Sequence, residues 1–150
     1  MARDETDDRP EVRQLFADLK AALPRLEKLL DECSGHWGYE DPVYRLYHQS
    51  FKVYDLQATT GRIVEAHRAL APGGRPLNAW FLRIVADGTG KTFELEHNAR
   101  WLEVTRPSAE AFFHARYFLE MAVRYGRALQ AAPNALPSGW AAFLYLYDLR

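Results

Sequence analysis

Residues 107–131 read PSAEAFFHARYFLEMAVRYGRALQA, and this stretch decides the fold. Its apolar residues recur every three or four positions, which is the period of an α-helix. They form two stripes: the first comprises Phe112, Ala115, Leu119, Ala122, Val123 and Gly126, and the second comprises Phe113, Tyr117, Phe118, Met121 and Tyr125. A helix that is apolar on two faces is usually surrounded by others. The stretch therefore predicts a central helix that starts at Pro107.

A second central helix is predicted over residues 41–71. Asp41 and Pro42 supply a capping residue followed by a proline that suits a first helical turn. Aromatic side chains again fall on two faces, so we expect this helix to be enclosed as well. The Thr59-Thr60-Gly61 triplet is a point where the helix could bend, and the prolines and glycines of residues 72–76 end it.

Three further helices are predicted around these two, over residues 8–33, 77–86 and 140–149. The first carries a single apolar stripe of Val12, Leu15, Leu19, Ala22, Leu26, Leu29 and Cys33. Its phase continues across Pro24, which indicates one kinked helix or two collinear ones. A loop is expected at residues 34–40. Residues 89–104 fit either a helix or a hairpin, and we favour the helix.

Composition agrees with an all-α fold. Alanine and leucine supply 40 of the 150 residues, whereas the β-branched residues Ile, Val and Thr supply 15, and β-branched residues favour strands. The length suits one domain. We therefore predict a single-domain bundle of five to six helices over residues 8–150, with its two central helices at 41–71 and 107–131 and a disordered tail at residues 1–7.

Charge and cysteine content exclude several functions. The formal net charge is −1, and a surface that binds nucleic acid needs a basic excess. The longest apolar run, residues 140–147, is too short to span a membrane, and the acidic N-terminus has no secretory signal. Cys33 is the only cysteine, so an internal disulfide cannot form. These features favour a cytoplasmic protein.

A phosphate-binding motif is imitated at Gly90-Lys91-Thr92. The true motif requires a glycine five residues before the Gly-Lys pair, and this chain has Val85 there. It also requires a preceding strand, whereas residues 77–86 have a helical pattern. We interpret Gly90-Lys91-Thr92 as a chance resemblance to this motif and predict that the protein binds no nucleotide.

Candidate chemistry rests on polar residues of the two central helices. The helix predicted over residues 41–71 places Tyr44 and His48 on one ridge. The helix predicted over residues 107–131 places Glu110, His114 and Tyr117 on another, with Glu120 nearby, because residues three or four apart share a helix face. If the ridges met, a His/carboxylate cluster would form in the core, as in metal-binding bundles.

The metal interpretation has a weakness, because carboxylate-bridged bundles use a Glu-x-x-His spacing that this chain lacks. No cofactor is predicted, and His48, His114 and Glu110 are the ligands if a metal is bound. The simpler alternative is that each histidine donates to a neighbouring carboxylate or hydroxyl. For His67, which is in phase with an apolar face, a hydrogen-bonded core histidine is expected.

Association is the function that the sequence favours. Residues 140–149 are apolar nearly all round, so they are either buried or form a subunit contact. Their candidate interface residues are Trp140, Phe143, Leu144 and Tyr147. The prediction is a cytoplasmic protein that acts by protein–protein association as a homo-oligomer; the alternative is a small metal- or ligand-binding enzyme that uses the His/carboxylate cluster.

Overall fold

The computed structural model describes the backbone of residues 9–37, 52–89, 98–132 and 136–149. Five helices occupy these ranges: α1 at Pro10–Trp37, α2 at Lys52–Leu70, α3 at Ala79–Thr89, α4 at Asn98–Ala131 and α5 at Trp140–Tyr145. A 3-10 turn at Pro72–Gly74 follows α2, and these ranges contain no strand. The helices pack together, so the prediction of an all-α bundle is confirmed.

Helix α4 lies at the centre and packs against α1, α2, α3 and α5. Its contact with α1 is close, since a Cβ atom added at Gly126 would lie 3.0 Å from Leu23 Cδ1. The central position of this helix was predicted, but its start at Pro107 was wrong. The helix begins at Asn98 and continues through the proline, although an interior proline removes one backbone hydrogen bond and its ring crowds the preceding turn. Residues 90–97 lie outside the described ranges.

Helix α1 is continuous across Pro24 and buries the whole predicted stripe, from Val12 to Cys33. The loop predicted at residues 34–40 is wrong for its first four residues, because α1 extends to Trp37. A glycine within a helix costs about 1 kcal/mol and need not end it. Within the described ranges, no helix is long and apolar enough to cross a bilayer.

Helix α2 runs without interruption through the Thr59-Thr60-Gly61 triplet to Leu70. Residues 41–51 of the predicted helix lie outside the described ranges. The chain then turns at Gly73 and Gly74, whose φ angles of 63° and 73° favour glycine. These two residues direct the chain from α2 towards α3.

The segment after α4 closes the core. Helix α5 ends at Tyr145, earlier than predicted, and a turn follows in which Asp148 has a φ of 54°. The four predicted interface residues of this segment are at most 4% exposed: Trp140, Phe143, Leu144 and Tyr147. Their own chain already encloses them, so a contact at α5 would need other side chains. The all-round apolar pattern reflects burial.

Asn78 links α3 to this closing segment. Its Oδ1 accepts hydrogen bonds from the backbone amides of Trp80 and Phe81, which caps α3. Its side-chain Nδ2 donates to Asp148 Oδ1 at 2.8 Å. Its backbone amide donates to the Leu146 carbonyl at 2.9 Å. One side chain thus holds the start of α3 and the turn after α5 together.

Candidate functional site

The described members of the predicted polar cluster lie on the outer face of α4. Glu110 and Tyr117 are exposed, and His114 and Glu120 are half-buried. Glu120 forms an ion pair with Arg116 at 3.2 Å. The four residues do share one side of the helix, as predicted, but that side does not face the core.

The other two members, Tyr44 and His48, lie outside the described residues. No three His, Cys, Asp or Glu residues of the described part of the chain come together as a possible metal site. The fallback ligands Glu110 and His114 are therefore not joined by a third described ligand.

Large aromatic side chains occupy the same outer surface. Trp80, Phe113 and Tyr117 are 43%, 44% and 55% exposed, and these are the exposed large apolar side chains of the described residues. Phe113 and Tyr117 are one turn apart on α4. Trp80, from α3, packs edge-on against His114 with 5.3 Å between ring centroids. We call Trp80, Phe113, His114 and Tyr117 the aromatic face.

A shallow depression of about 390 Å³ extends this face towards α5. It is lined by Tyr117, Phe118, Ala141, Ala142 and Tyr145, whose surfaces there are almost entirely apolar. The Tyr117 ring also packs against Phe118, with centroids 5.5 Å apart. The exposed apolar surface therefore continues from α3 across α4 to α5.

Charged residues border the aromatic face along α4. Glu110 lies before Phe113, and Arg124 lies two turns after Tyr117; both are exposed. Neither forms an ion pair with another residue of the described ranges. The charges nearby are already neutralised, since Arg127 Nε contacts Glu27 Oε2 at 2.6 Å and Glu120 is held by Arg116.

His67 is the buried histidine on the inner side of α2. Its Nε2 lies 3.0 Å from the Ala115 carbonyl oxygen, and since a carbonyl only accepts, Nε2 carries a proton. The rings of Phe81 and Phe118 approach it edge-on, and Nδ1 has no partner. Burial away from water lowers the pKa of His67 to about 4. The expected hydrogen-bonded core histidine is present.

Cys33 is fully buried at the end of the α1 stripe. Loss of solvent raises the pKa of its thiol to about 11, although the charges of Arg116 and Arg62 act in the opposite direction. A thiol with a raised pKa is a poor nucleophile near neutral pH. The cysteine is a packing residue, as its position on the stripe indicates.

A second concavity, a cleft of about 560 Å³, lies between α1 and α2. Its rim carries both signs of charge: Arg25, Lys28, Arg62, Glu32 and Glu65. Arg62 and Glu32 bridge it with an ion pair at 2.5 Å. Because its charges are of both signs and two of them already pair, the cleft indicates no single ligand chemistry.

Sequence reasoning did not separate Phe113 from its neighbour. Phe112 is 1% exposed and Phe113 is 44% exposed, yet both lie on apolar stripes. Neighbouring charged residues could have indicated that Phe113 is exposed, since Glu110 and Arg124 lie on nearly the same side of the helix as Phe113 and Tyr117. Trp80 lies among the apolar residues Leu77, Phe81 and Val85 in a short helical segment, and no pattern there indicates its exposure.

Comparison of the chain with models of protein families, with curated proteins and with solved structures found no match.

Proposed function

We propose that the protein acts by self-association in the cytoplasm, through the aromatic face of α3 and α4. The observation that supports this proposal is the clustering of three large exposed aromatic residues on one surface. Scattered exposed apolar residues are ordinary, whereas contiguous ones mark interaction sites. Tryptophan, tyrosine and phenylalanine are also enriched in protein interfaces.

The expected affinity is modest. Complete burial of a large apolar side chain contributes about 1.5–3 kcal/mol, and Trp80, Phe113 and Tyr117 have roughly half of that surface left to bury. Each contact on both copies then contributes about 1 kcal/mol, against an association penalty of about 4 kcal/mol or more. The depression beside Tyr117 adds further apolar area. The three rings on each copy total about 6 kcal/mol, which is about 2 kcal/mol beyond the penalty before the depression is added, so we expect a weak dimer that forms at about submillimolar concentrations.

The cytoplasmic part of the proposal follows from the cysteine content. A chain with one buried thiol gains nothing from an oxidising compartment, since it forms no internal disulfide. The second candidate function, a metal- or ligand-binding enzyme built on His48, Glu110 and His114, has no supporting contact among the described residues.

Sedimentation velocity over about 10 to 300 µM tests self-association. We expect the mean mass of the wild-type chain to rise towards that of a dimer. The double variant Phe113→Ser/Tyr117→Ser should stay monomeric with unchanged helicity by circular dichroism, because both side chains are exposed. The control is Ala69→Ser, because Ala69 is exposed on α2. Helix α2 packs against α4 at Ala115, on the side of α4 away from the aromatic face. A wild-type monomer throughout, or a double variant that dimerises as wild type does, would overturn the proposal.

A further inference from the structure

The outer face of α4 has a symmetric arrangement of charge about Tyr117. Glu110 lies seven residues before Tyr117 and Arg124 lies seven residues after it. Seven residues are close to two full helical turns, so both charges lie within about 20° of the direction of Tyr117 around the helix. At 1.5 Å per residue, the two charges are separated by about 21 Å along the axis. An aromatic centre is thus flanked by opposite charges at equal distances.

This arrangement is complementary to itself. A two-fold axis at the level of Tyr117, perpendicular to α4, places a second copy antiparallel to the first. Glu110 of each copy then meets Arg124 of the other, and Tyr117 meets its own counterpart. Closed dimers use the same patch on both subunits in this reciprocal way.

We propose that the occupant of the aromatic face is a second copy of this chain, docked antiparallel along α4 with two reciprocal Glu110–Arg124 ion pairs. This inference rests on the proposed self-association and adds its register. The charges are available for it, because neither Glu110 nor Arg124 is paired with another described residue, while Glu120 and Arg127 already have partners.

The opposite orientation is disfavoured by the same charges. With the two α4 helices parallel, Glu110 would face Glu110 and Arg124 would face Arg124. Like charges placed opposite each other oppose association and select against that arrangement. The helix dipoles would also be aligned side by side, whereas antiparallel packing opposes them.

Charge reversal tests the register. Glu110→Arg or Arg124→Glu alone replaces both attractions with repulsions, so we expect each to raise the dimer Kd on the order of tenfold at low ionic strength. The double variant Glu110→Arg/Arg124→Glu restores both pairs and should return the Kd to near the wild-type value. Arg68→Glu on α2 is the control for net charge. Single variants with wild-type Kd, or a double variant as weak as the singles, would overturn the register.

Cysteine cross-linking gives a second, independent test. A disulfide requires Cα atoms within about 7 Å, which a two-fold axis allows only near Tyr117. We expect Tyr117→Cys to give a covalent dimer under mild oxidation and Glu110→Cys to give none, since Cys33 is buried and does not compete. Cross-linking through both would indicate parallel helices and overturn the inference. If the wild-type chain dimerises but the charge-reversal or cross-linking results contradict the antiparallel register, the proposed self-association still stands. If the wild-type chain is a monomer, both the self-association and the register are overturned.

Discussion

Replacement of His67 by glutamine should remove a large part of the acid sensitivity of the fold. The imidazole is neutral and buried against Phe81 and Phe118, with a pKa of about 4. In the unfolded chain the same group has a pKa of about 6.5. As the pH falls below 6.5, the unfolded state takes up a proton that the folded state refuses until about pH 4. The contribution of neutral His67 to the free energy of unfolding is therefore fully present above pH 6.5. It is lost as the pH falls from 6.5 towards 4.

The size of the effect follows from the two pKa values. One pKa unit corresponds to about 1.4 kcal/mol, so His67 lowers the free energy of unfolding by about 2 kcal/mol between pH 7 and pH 5. The full difference, reached near pH 4, is about 3 kcal/mol. Glutamine does not titrate, and its amide can still donate to the Ala115 carbonyl. The free energy of unfolding of His67→Gln should thus fall less steeply than that of wild type.

Urea denaturation followed by circular dichroism at pH 7, 6 and 5 measures this difference. Comparison of slopes with wild type cancels the contributions of the other titrating groups. His114→Gln is the matched control, because it makes the same substitution at a half-buried surface position. Slopes for His67→Gln and wild type that agree within about 0.5 kcal/mol over the two pH units would refute the burial of a neutral His67.

Three substitutions test the backbone and the link between α3 and the closing segment. Gly139→Ala should lower the free energy of unfolding by about 2 kcal/mol, because Gly139 has a φ of 87° and an added Cβ would lie 2.6 Å from Tyr125 Oη; a neutral result in urea denaturation would contradict this strain. Gly61→Ala is its counterpart, with nothing within 4 Å of the added Cβ, and should raise stability by up to about 1 kcal/mol, seen as a higher Tm. Asn78→Ala removes a helix cap and the bond to Asp148, so the free energy of unfolding should fall by about 1–2 kcal/mol, and an unchanged urea midpoint would show that the cap is dispensable.

Helical periodicity predicted the elements better than their ends. The α1 stripe and the central position of α4 follow from spacing, because burial of one face requires residues three and four apart. The start of α4 did not follow, since a proline is favoured at a first helical turn and disfavoured inside a helix, yet Pro107 lies inside α4. The end of α5 was also missed, because the turn after Tyr145 is held by Asn78, a residue distant in sequence.

The candidate site shows a second limit. The spacing of Glu110, His114 and Tyr117 correctly predicted that they share one face of α4. It did not indicate which face points inward, because Phe112 and Phe113 lie on adjacent apolar stripes and only packing against α1, α2 and α3 decides between them. When two faces of a helix are apolar, its packing against neighbouring helices decides which face is buried, and its own sequence does not.

The bond between Asn78 and Asp148 joins residues 70 positions apart, and this separation has a consequence for folding during synthesis. Helix α3 can be capped by Asn78 as soon as it emerges from the ribosome, but the core beside it stays open until α5 has been made. During that interval, buried rings such as Tyr125 are exposed to solvent and to other chains. Contacts between residues so distant in sequence form slowly, and partly folded chains with exposed apolar surface are prone to aggregate. Nascent chains stalled before α5 should therefore be the form of this protein that most depends on chaperones.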